Sequence, residues 1–158
     1  MTFHKLLIAN RGEIACRIIK SAHDMGISCV AVYVDADADS LFVKQADEAI
    51  RLSDSYLNSK EIIAAAKSTG AQAIHPGYGF LSENAKFSRD VLKEGLIWVG
   101  PNSRVITSMG DKLKAKVLAE KAGVPTLPTT TDPKKAGSIG FPVLIKAAGG
   151  GGGKGMRI

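Results

Sequence analysis

Short apolar runs and amphipathic helical patterns alternate along the first hundred residues, and this alternation narrows the fold more than any single motif. Lys5–Ala9 reads as a buried strand. In Glu13–Met25, residues Ala15, Ile18, Ile19, Ala22 and Met25 recur on one helical face, and Gly26 closes the helix. Ser28–Val34 is a β-branched strand and Ala49–Leu52 a third. Ser59–Ser68 is a helix closed by Gly70, with Asn58 and Glu61 in capping-box register. Ala71–His75 continues as a strand, Asn84–Glu94 as a helix burying Phe87, Val91 and Leu92, and Leu96–Val99 as another strand. Strands joined through helices run parallel, so the fold class is α/β, a parallel sheet with helices on its faces. Right-handed crossovers place the loops Asn10–Gly12, Asp35–Asp39, Pro76–Gly79 and Gly100–Asn102 along one edge, where ligands of such sheets bind.

The pattern changes after Pro101-Asn102-Ser103. Asp111–Ala122 is a Lys-rich helix ended by Gly123, and Pro125, Pro128 and Pro133 make the following stretch a linker with little regular structure. Pro142–Lys146 then reads as a strand, Gly149–Gly153 as a loop, and Gly155–Ile158 as the start of a second strand. A domain boundary is expected between residues 110 and 125, dividing the chain into 1–112 and 113–158.

Five consecutive glycines between two apolar runs are a poor flexible linker and a good phosphate clamp. Without Cβ atoms, successive backbone N–H groups can converge on an anion at close range. Lys154 is followed by Gly155 rather than Ser or Thr, so this is not a P-loop, and no helix follows to add its dipole. Lys146, Lys154 and Arg157 are placed to supply the positive charge. Lys146 alone would pass for an edge-strand lysine reaching water, and Lys112 for a solvated helix face shared with Lys116 and Glu120.

Charge divides along the chain in a way that favours such a local site. Residues 1–100 hold 11 Lys and Arg against 12 Asp and Glu, whereas residues 101–158 hold 10 against 3. A nucleic-acid coat would spread its charge and carry more stacking rings than the 6% aromatic content. Cys16 and Cys29 fall in a helical pattern and an apolar run, as reduced core residues do, and point to the cytosol rather than to a disulfide or metal set. The N-terminal residues lack the pattern of a signal or transit peptide, and no apolar span reaches membrane length.

Asn10-Arg11-Gly12 stands where a dinucleotide fingerprint would, with one glycine in place of three. His75-Pro76-Gly77-Tyr78-Gly79 reads either as a tight turn with a satisfied strand-end histidine or as part of a ligand edge. Glu13, Arg17, Lys20 and Asp24 form the charged stripe of the first helix, and His4 and His23 read as surface residues.

Four segments in order, Ile8–Ala15, His75–Asn84, Met109–Lys112 and Ile145–Arg157, closely resemble the N-terminal third of biotin carboxylase. The lysine after the glycine run is more similar to the biotin carboxylase part of acyl-CoA carboxylase α subunits than to the separate bacterial subunit. The resemblance implies a Rossmann-like domain followed by the beginning of an ATP-grasp domain whose glycine hairpin folds over ATP. It also implies the reaction: bicarbonate attacks the γ-phosphate of ATP, and the resulting carboxyphosphate yields CO₂ that is captured by biotin on a separate carrier protein or domain.

Carried onto this chain, the resemblance makes Lys112 and Lys146 phosphate contacts, Gly150, Gly152 and Gly153 lid amides, and Met156 an apolar contact near the base. Tyr78 and Gly79 would border the biotin ring, with Glu83 nearby. Arg17, Lys20 and Asp24 match a stripe that lies at a homodimer interface in the family, where Arg and Glu more often stand in place of Lys20 and Asp24. The ligands of Mg²⁺ or Mn²⁺, the bicarbonate-binding Arg and Lys and the adenine-contacting segment are expected after Ile158. The 158 residues alone are therefore expected to contain no catalytic residue and to be inactive. Expected partners are a biotin carboxyl carrier and a carboxyltransferase, with no nucleic acid or membrane. Another ATP-grasp ligase, or a non-catalytic assembly domain, remains the alternative.

Overall fold

The computed structural model describes residues 3–146 and 156–158. It divides into two units, Met1–Thr107 and Ser108–Ile158.

The first unit is a five-stranded, wholly parallel sheet. The strands are β1 (Lys5–Ile8), β2 (Ser28–Tyr33), β3 (Glu48–Arg51), β4 (Ala73–His75) and β5 (Ile97–Trp98), in the spatial order β3-β2-β1-β4-β5. The helices are α1 (Gly12–Asp24), α2 (Leu41–Gln45), α3 (Ser59–Ser68), α4 (Ala85–Lys93) and α5 (Ser103–Gly110), whose last three residues belong to the second unit. Side chains alternate across each strand, so the sheet buries two separate cores. Leu6, Ile8, Cys29, Ala31 and Ala73 meet Ile14, Ala15, Ile18, Ile19 and Ala22 of α1 and Phe42 of α2 on one face. Leu7, Val30, Val32 and Ile74 meet Ile62, Ile63 and Ala66 of α3, Phe87 and Val91 of α4 and Ile106 of α5 on the other. Strand order reverses between β1 and β4, and this reversal opens a crevice at the C-terminal edge.

Local chemistry explains where the elements stop. Gly26, Gly70 and Gly95 follow α1, α3 and α4 with φ between 70° and 79°, a conformation that releases the chain from the helix without Cβ strain. Asn58 and Asn84 cap α3 and α4 by accepting from the N–H groups of Glu61 and Phe87. The reciprocal half of the expected capping box does not form. The Glu61 carboxylate instead accepts from the backbone N–H (2.6 Å) and hydroxyl (2.9 Å) of Ser53 and from the Asn58 side-chain amide (3.2 Å), tying the loop after β3 to α3.

Two apolar residues assigned to the core lie outside it. Met25 caps the end of α1 at 73% exposure, because the chain has turned away from the buried face. Leu92 is 53% exposed, and the third inward position of α4 is Ser88. The helices α2 and α5 have five and eight residues, too short for an amphipathic repeat to run beyond about two turns and so to be legible in the sequence.

The second unit contains α6 (Lys112–Lys121), a 3₁₀ turn at Pro133–Lys135 and the short helix α7 (Ala136–Ile139). Asp111 caps α6, accepting from the N–H groups of Leu113 (3.0 Å) and Lys114 (3.1 Å). The stretch from Val124 to Thr130 has no regular structure, in keeping with its prolines. In place of two full strands around the glycine run, the described residues show a single antiparallel bridge between Ile145 and Arg157. Its two hydrogen bonds are 2.7 and 3.1 Å long. Among the described residues, no helix is long and apolar enough to cross a membrane.

Candidate functional site

The crevice at the C-terminal edge is built from the loops that follow β1, β2 and β4. Asn10, 2% exposed, joins two of them. Its side-chain amide donates to the carbonyls of Pro76 (2.7 Å) and Tyr78 (2.8 Å), and its own oxygen accepts the Arg11 N–H (2.9 Å). One buried amide thus fixes the turn after β4 against the turn after β1 and leaves none of its polar atoms idle. Gly77 makes this approach possible, because a Cβ there would stand 2.6 Å from the Asn10 nitrogen, and its φ is +63°.

The turn presents Tyr78 and Gly79 outward. The Tyr78 hydroxyl donates to Glu13 at the start of α1, and the ring remains largely exposed. Phe80 takes a left-handed conformation with φ of +44°, supported by its ring lying 5.2 Å from that of Tyr56. Glu83 is exposed in the turn leading to α4. His75, at the end of β4, accepts the Gly77 N–H at Nδ1 (3.0 Å). Burial, and secondarily the Arg17 guanidinium, holds its imidazole below the usual histidine range. The strand-end histidine is therefore held at Nδ1 by the turn it precedes.

A charged lock stands beside the turn. Asp37, 3% exposed, accepts from Arg11 Nε (2.7 Å), from Arg11 Nη2 and from the Tyr56 hydroxyl (2.7 Å). The Arg11 hydrogen bond is the largest cause holding the Asp37 carboxyl below the usual carboxylate range. Desolvation and the neighbouring carboxylate raise the Tyr56 phenol. Sequence reasoning missed this trio. Asp35, Asp37 and Asp39 alternate in one loop, and only packing decides that Asp37 turns inward.

Arg17, Lys20 and Asp24 lie on the exposed face of α1, with Lys20 and Asp24 paired at 3.0 Å. In the second unit, Lys112 is the first residue of α6, and its side chain lies outside the described residues. Lys116 pairs with Glu120 at 3.6 Å and also donates to the Leu127 carbonyl at 2.6 Å. The register of the Ile145–Arg157 bridge sets exposed Lys146 opposite Met156, each three positions from an end of the glycine run. Gly150, Gly152, Gly153 and Lys154 lie outside the described residues.

Residues 2–106 match the biotin carboxylase N-terminal domain family. The chain belongs to that family. Residues 111–158 match the ATP-binding domain of the carbamoyl-phosphate synthase L chain. The propionyl-CoA carboxylase alpha chain of Ruegeria pomeroyi is 52% identical over 169 aligned positions, covering 99% of this chain and 25% of that protein. The biotin carboxylase domain dimer of Hydrogenobacter thermophilus 2-oxoglutarate carboxylase, solved with MgADP, ADP and bicarbonate, superposes with a TM-score of 0.89 at 44% identity. It is covered over 37% of its length by 99% of this chain. Campylobacter jejuni biotin carboxylase in its β-γ-ATP complex gives the same TM-score and identity, with 99% of this chain covering 38% of that one. The chain thus spans about a quarter of the curated relative and under two fifths of the solved domains.

Proposed function

We propose that this chain supplies the N-terminal part of a biotin-dependent carboxylase that uses ATP and bicarbonate to carboxylate biotin on a carrier, for transfer to an acyl-CoA. The observation that carries this is the continuity of the family likeness over 99% of the chain, spanning both the Asn10-braced turn after β4 and the segment around the glycine run. In this reading residues 1–112 form the Rossmann-like domain and 113–158 open the ATP-grasp domain.

The donor set suits a polyphosphate. Lys112, Lys146 and the amides of Gly150, Gly152 and Gly153 would neutralise charge on the transferring phosphoryl group, while Met156 offers an apolar surface to the base. Within the described residues the bridge between Ile145 and Arg157 holds Lys146 and Met156 across from each other, so that one contact would set the other. Bound ATP would supply the activated phosphoryl group that makes bicarbonate reactive, and Mg²⁺ or Mn²⁺ would be held by groups this chain does not assign. Tyr78 and Gly79, with Glu83, would border the biotin ring. Arg17, Lys20 and Asp24 would contribute to a homodimer surface, with the carrier and a carboxyltransferase as further partners, in the cytoplasm.

The test replaces the matching N-terminal segment of Campylobacter jejuni biotin carboxylase with this chain and measures biotin- and bicarbonate-dependent ATP hydrolysis. The chimaera is expected to turn over. Lys146→Ala within it should lower kcat/KM for ATP by about 10²-fold, the usual loss for one charge-stabilising donor, and Tyr78→Ala should raise KM for biotin with a smaller change in kcat. A chimaera with native circular dichroism that hydrolyses no ATP, or whose Lys146→Ala variant is unimpaired, would overturn the proposal. The 158-residue chain alone is expected to show no bicarbonate-dependent turnover.

A further inference from the structure

The opposite edge of the sheet carries a second constellation that the proposed carboxylase role does not use. His23 lies in the last turn of α1, Cys29 near the start of β2, and Asp47 in the turn that leads from α2 into β3. They are well separated along the chain, where His23 reads as a surface histidine and Cys29 as a reduced core cysteine, and no local spacing links either to Asp47. The fold brings one ligand atom from each within 4.8 Å of the other two. His23 Nε2 stands 2.8 Å from Asp47 Oδ2, and that same oxygen accepts the Cys29 backbone N–H at 2.7 Å. We propose that His23 Nε2, Cys29 Sγ and an Asp47 carboxylate oxygen form a binding site for a borderline-soft divalent cation, Zn²⁺ being the ion whose chemistry they fit.

Imidazole nitrogen, thiolate sulfur and carboxylate oxygen are the three donor types zinc takes, at roughly 2.0–2.3 Å, which sets tetrahedral ligand–ligand separations of roughly 3.3–3.8 Å. The existing spacing brackets that range. The His23–Asp47 pair has to open by about half an ångström, and the sulfur, no more than 4.8 Å from either partner, has to close by up to about 1.3 Å. Three protein ligands leave the fourth position to water. The cation would replace the hydrogen now shared between Nε2 and Oδ2.

Access and field both suit a cation. The His23 and Asp47 side chains are 40% and 48% exposed, so an ion reaches them from solvent, while buried Cys29 forms the floor. The C-terminal end of α1 points its partial negative charge at the site. Asp47 is held ionised, first by the Cys29 N–H and then by His23. Burial and the Asp47 charge push the Cys29 thiol up to about 11, so binding must expel that proton to solvent, leaving a thiolate paired with the metal. No oxidation state changes. The site would staple the end of α1 to β2 and to the turn before β3, far along the strands from the Asn10 crevice, with one coordination position left open to water.

Co²⁺ titration of the whole 158-residue chain, treated with chelator beforehand, tests this directly. The expected result is one equivalent bound with a thiolate-to-cobalt charge-transfer band in the near ultraviolet, bleached by one equivalent of Zn²⁺, and a rise in thermal midpoint with Zn²⁺. His23→Gln, an exposed change that leaves both cores intact, should weaken Zn²⁺ binding by at least tenfold, and Cys29→Ser should abolish the charge-transfer band. Cys16→Ser serves as the control and should change neither. No charge-transfer band in the parent chain, or a band that survives Cys29→Ser and disappears with Cys16→Ser, would refute the site. A band and affinity unchanged in His23→Gln would refute its composition.

Discussion

Asp37→Asn removes one charge from the lock beside the candidate biotin turn and should destabilise the sheet unit at neutral pH by about 2–3 kcal/mol. The magnitude follows from the partners. Hydrogen bonds to a charged group contribute roughly 1.5–3 kcal/mol each, but the Arg11 side chain is 49% exposed, so its share is screened by water. Tyr56 is buried, and its bond to the carboxylate keeps its full value. Asparagine retains one acceptor oxygen and sets an amide donor against the guanidinium, so one of the Arg11 bonds is lost outright. The pH dependence gives the sharper criterion. Arg11 holds the folded Asp37 carboxyl below its unfolded value, which is about 3.9. The stabilisation is thus fully present above that value and is lost as pH falls through the folded one. Asparagine does not titrate, so the deficit should shrink below about pH 4. Urea unfolding followed by fluorescence of Trp98, the single tryptophan, reports on this unit alone. A deficit below about 0.5 kcal/mol at pH 7, or one that stays constant down to the lowest pH at which the parent chain is folded, would refute the account.

Gly77→Ala combines a left-handed φ with a Cβ 2.6 Å from the Asn10 amide, so it should cost about 2–4 kcal/mol in the same assay; a neutral substitution would mean that Asn10 does not brace the turn. Phe87→Ala, which opens a cavity against Trp98 at a ring separation of 5.4 Å, should cost about 3–5 kcal/mol, while Leu92→Ala on the exposed side of α4 should cost under about 1 kcal/mol. Equal losses would contradict the orientation of that helix. Because burial depresses the His75 pKa, the folded state favours neutral imidazole, and stability present above about pH 6.5 falls as pH drops through the folded value. His75→Asn keeps an acceptor for the Gly77 N–H and should flatten the stability profile between pH 7 and 5; parallel profiles would count against it. Amide exchange should be faster across Val124–Thr130, where Val124 and Leu127 are largely exposed and regular structure is absent, than across β1, β2 and β4. Equal protection would show packing that the exposed side chains do not suggest.

Most of the sheet unit was legible because its signals are local and redundant. The β1, β2 and β4 runs are apolar on both faces, as strands covered on both sides must be, and Gly26, Gly70 and the Asn58 cap mark helix ends that occur where expected. Errors arose where one residue could fit two patterns. Met25 continues the helical repeat of α1, but Gly26 has already begun to turn the chain, and the repeat carries no information about that turn. Leu92 and Ser88 exchange places for a related reason: Ser88 is buried on the inward face of α4 with Phe87 and Val91 despite its hydroxyl, so hydrophobicity alone points to the wrong face.

The ligand edge was legible as an edge and not as a set of contacts. Topology predicts that the loops after β1, β2 and β4 converge, since a parallel sheet whose order reverses must bring those ends to one crevice. Which of three alternating aspartates turns inward to meet Arg11, or that Asn10 spans 66 residues to reach Pro76, depends on side-chain geometry with no periodic trace in the sequence. The same limit accounts for His23, Cys29 and Asp47. Metal motifs are recognised when their ligands recur at short spacing, and these three meet only because adjacent parallel strands start at the same edge. Contacts created by crossover topology are therefore where this fold holds chemistry that a reading along the chain passes over.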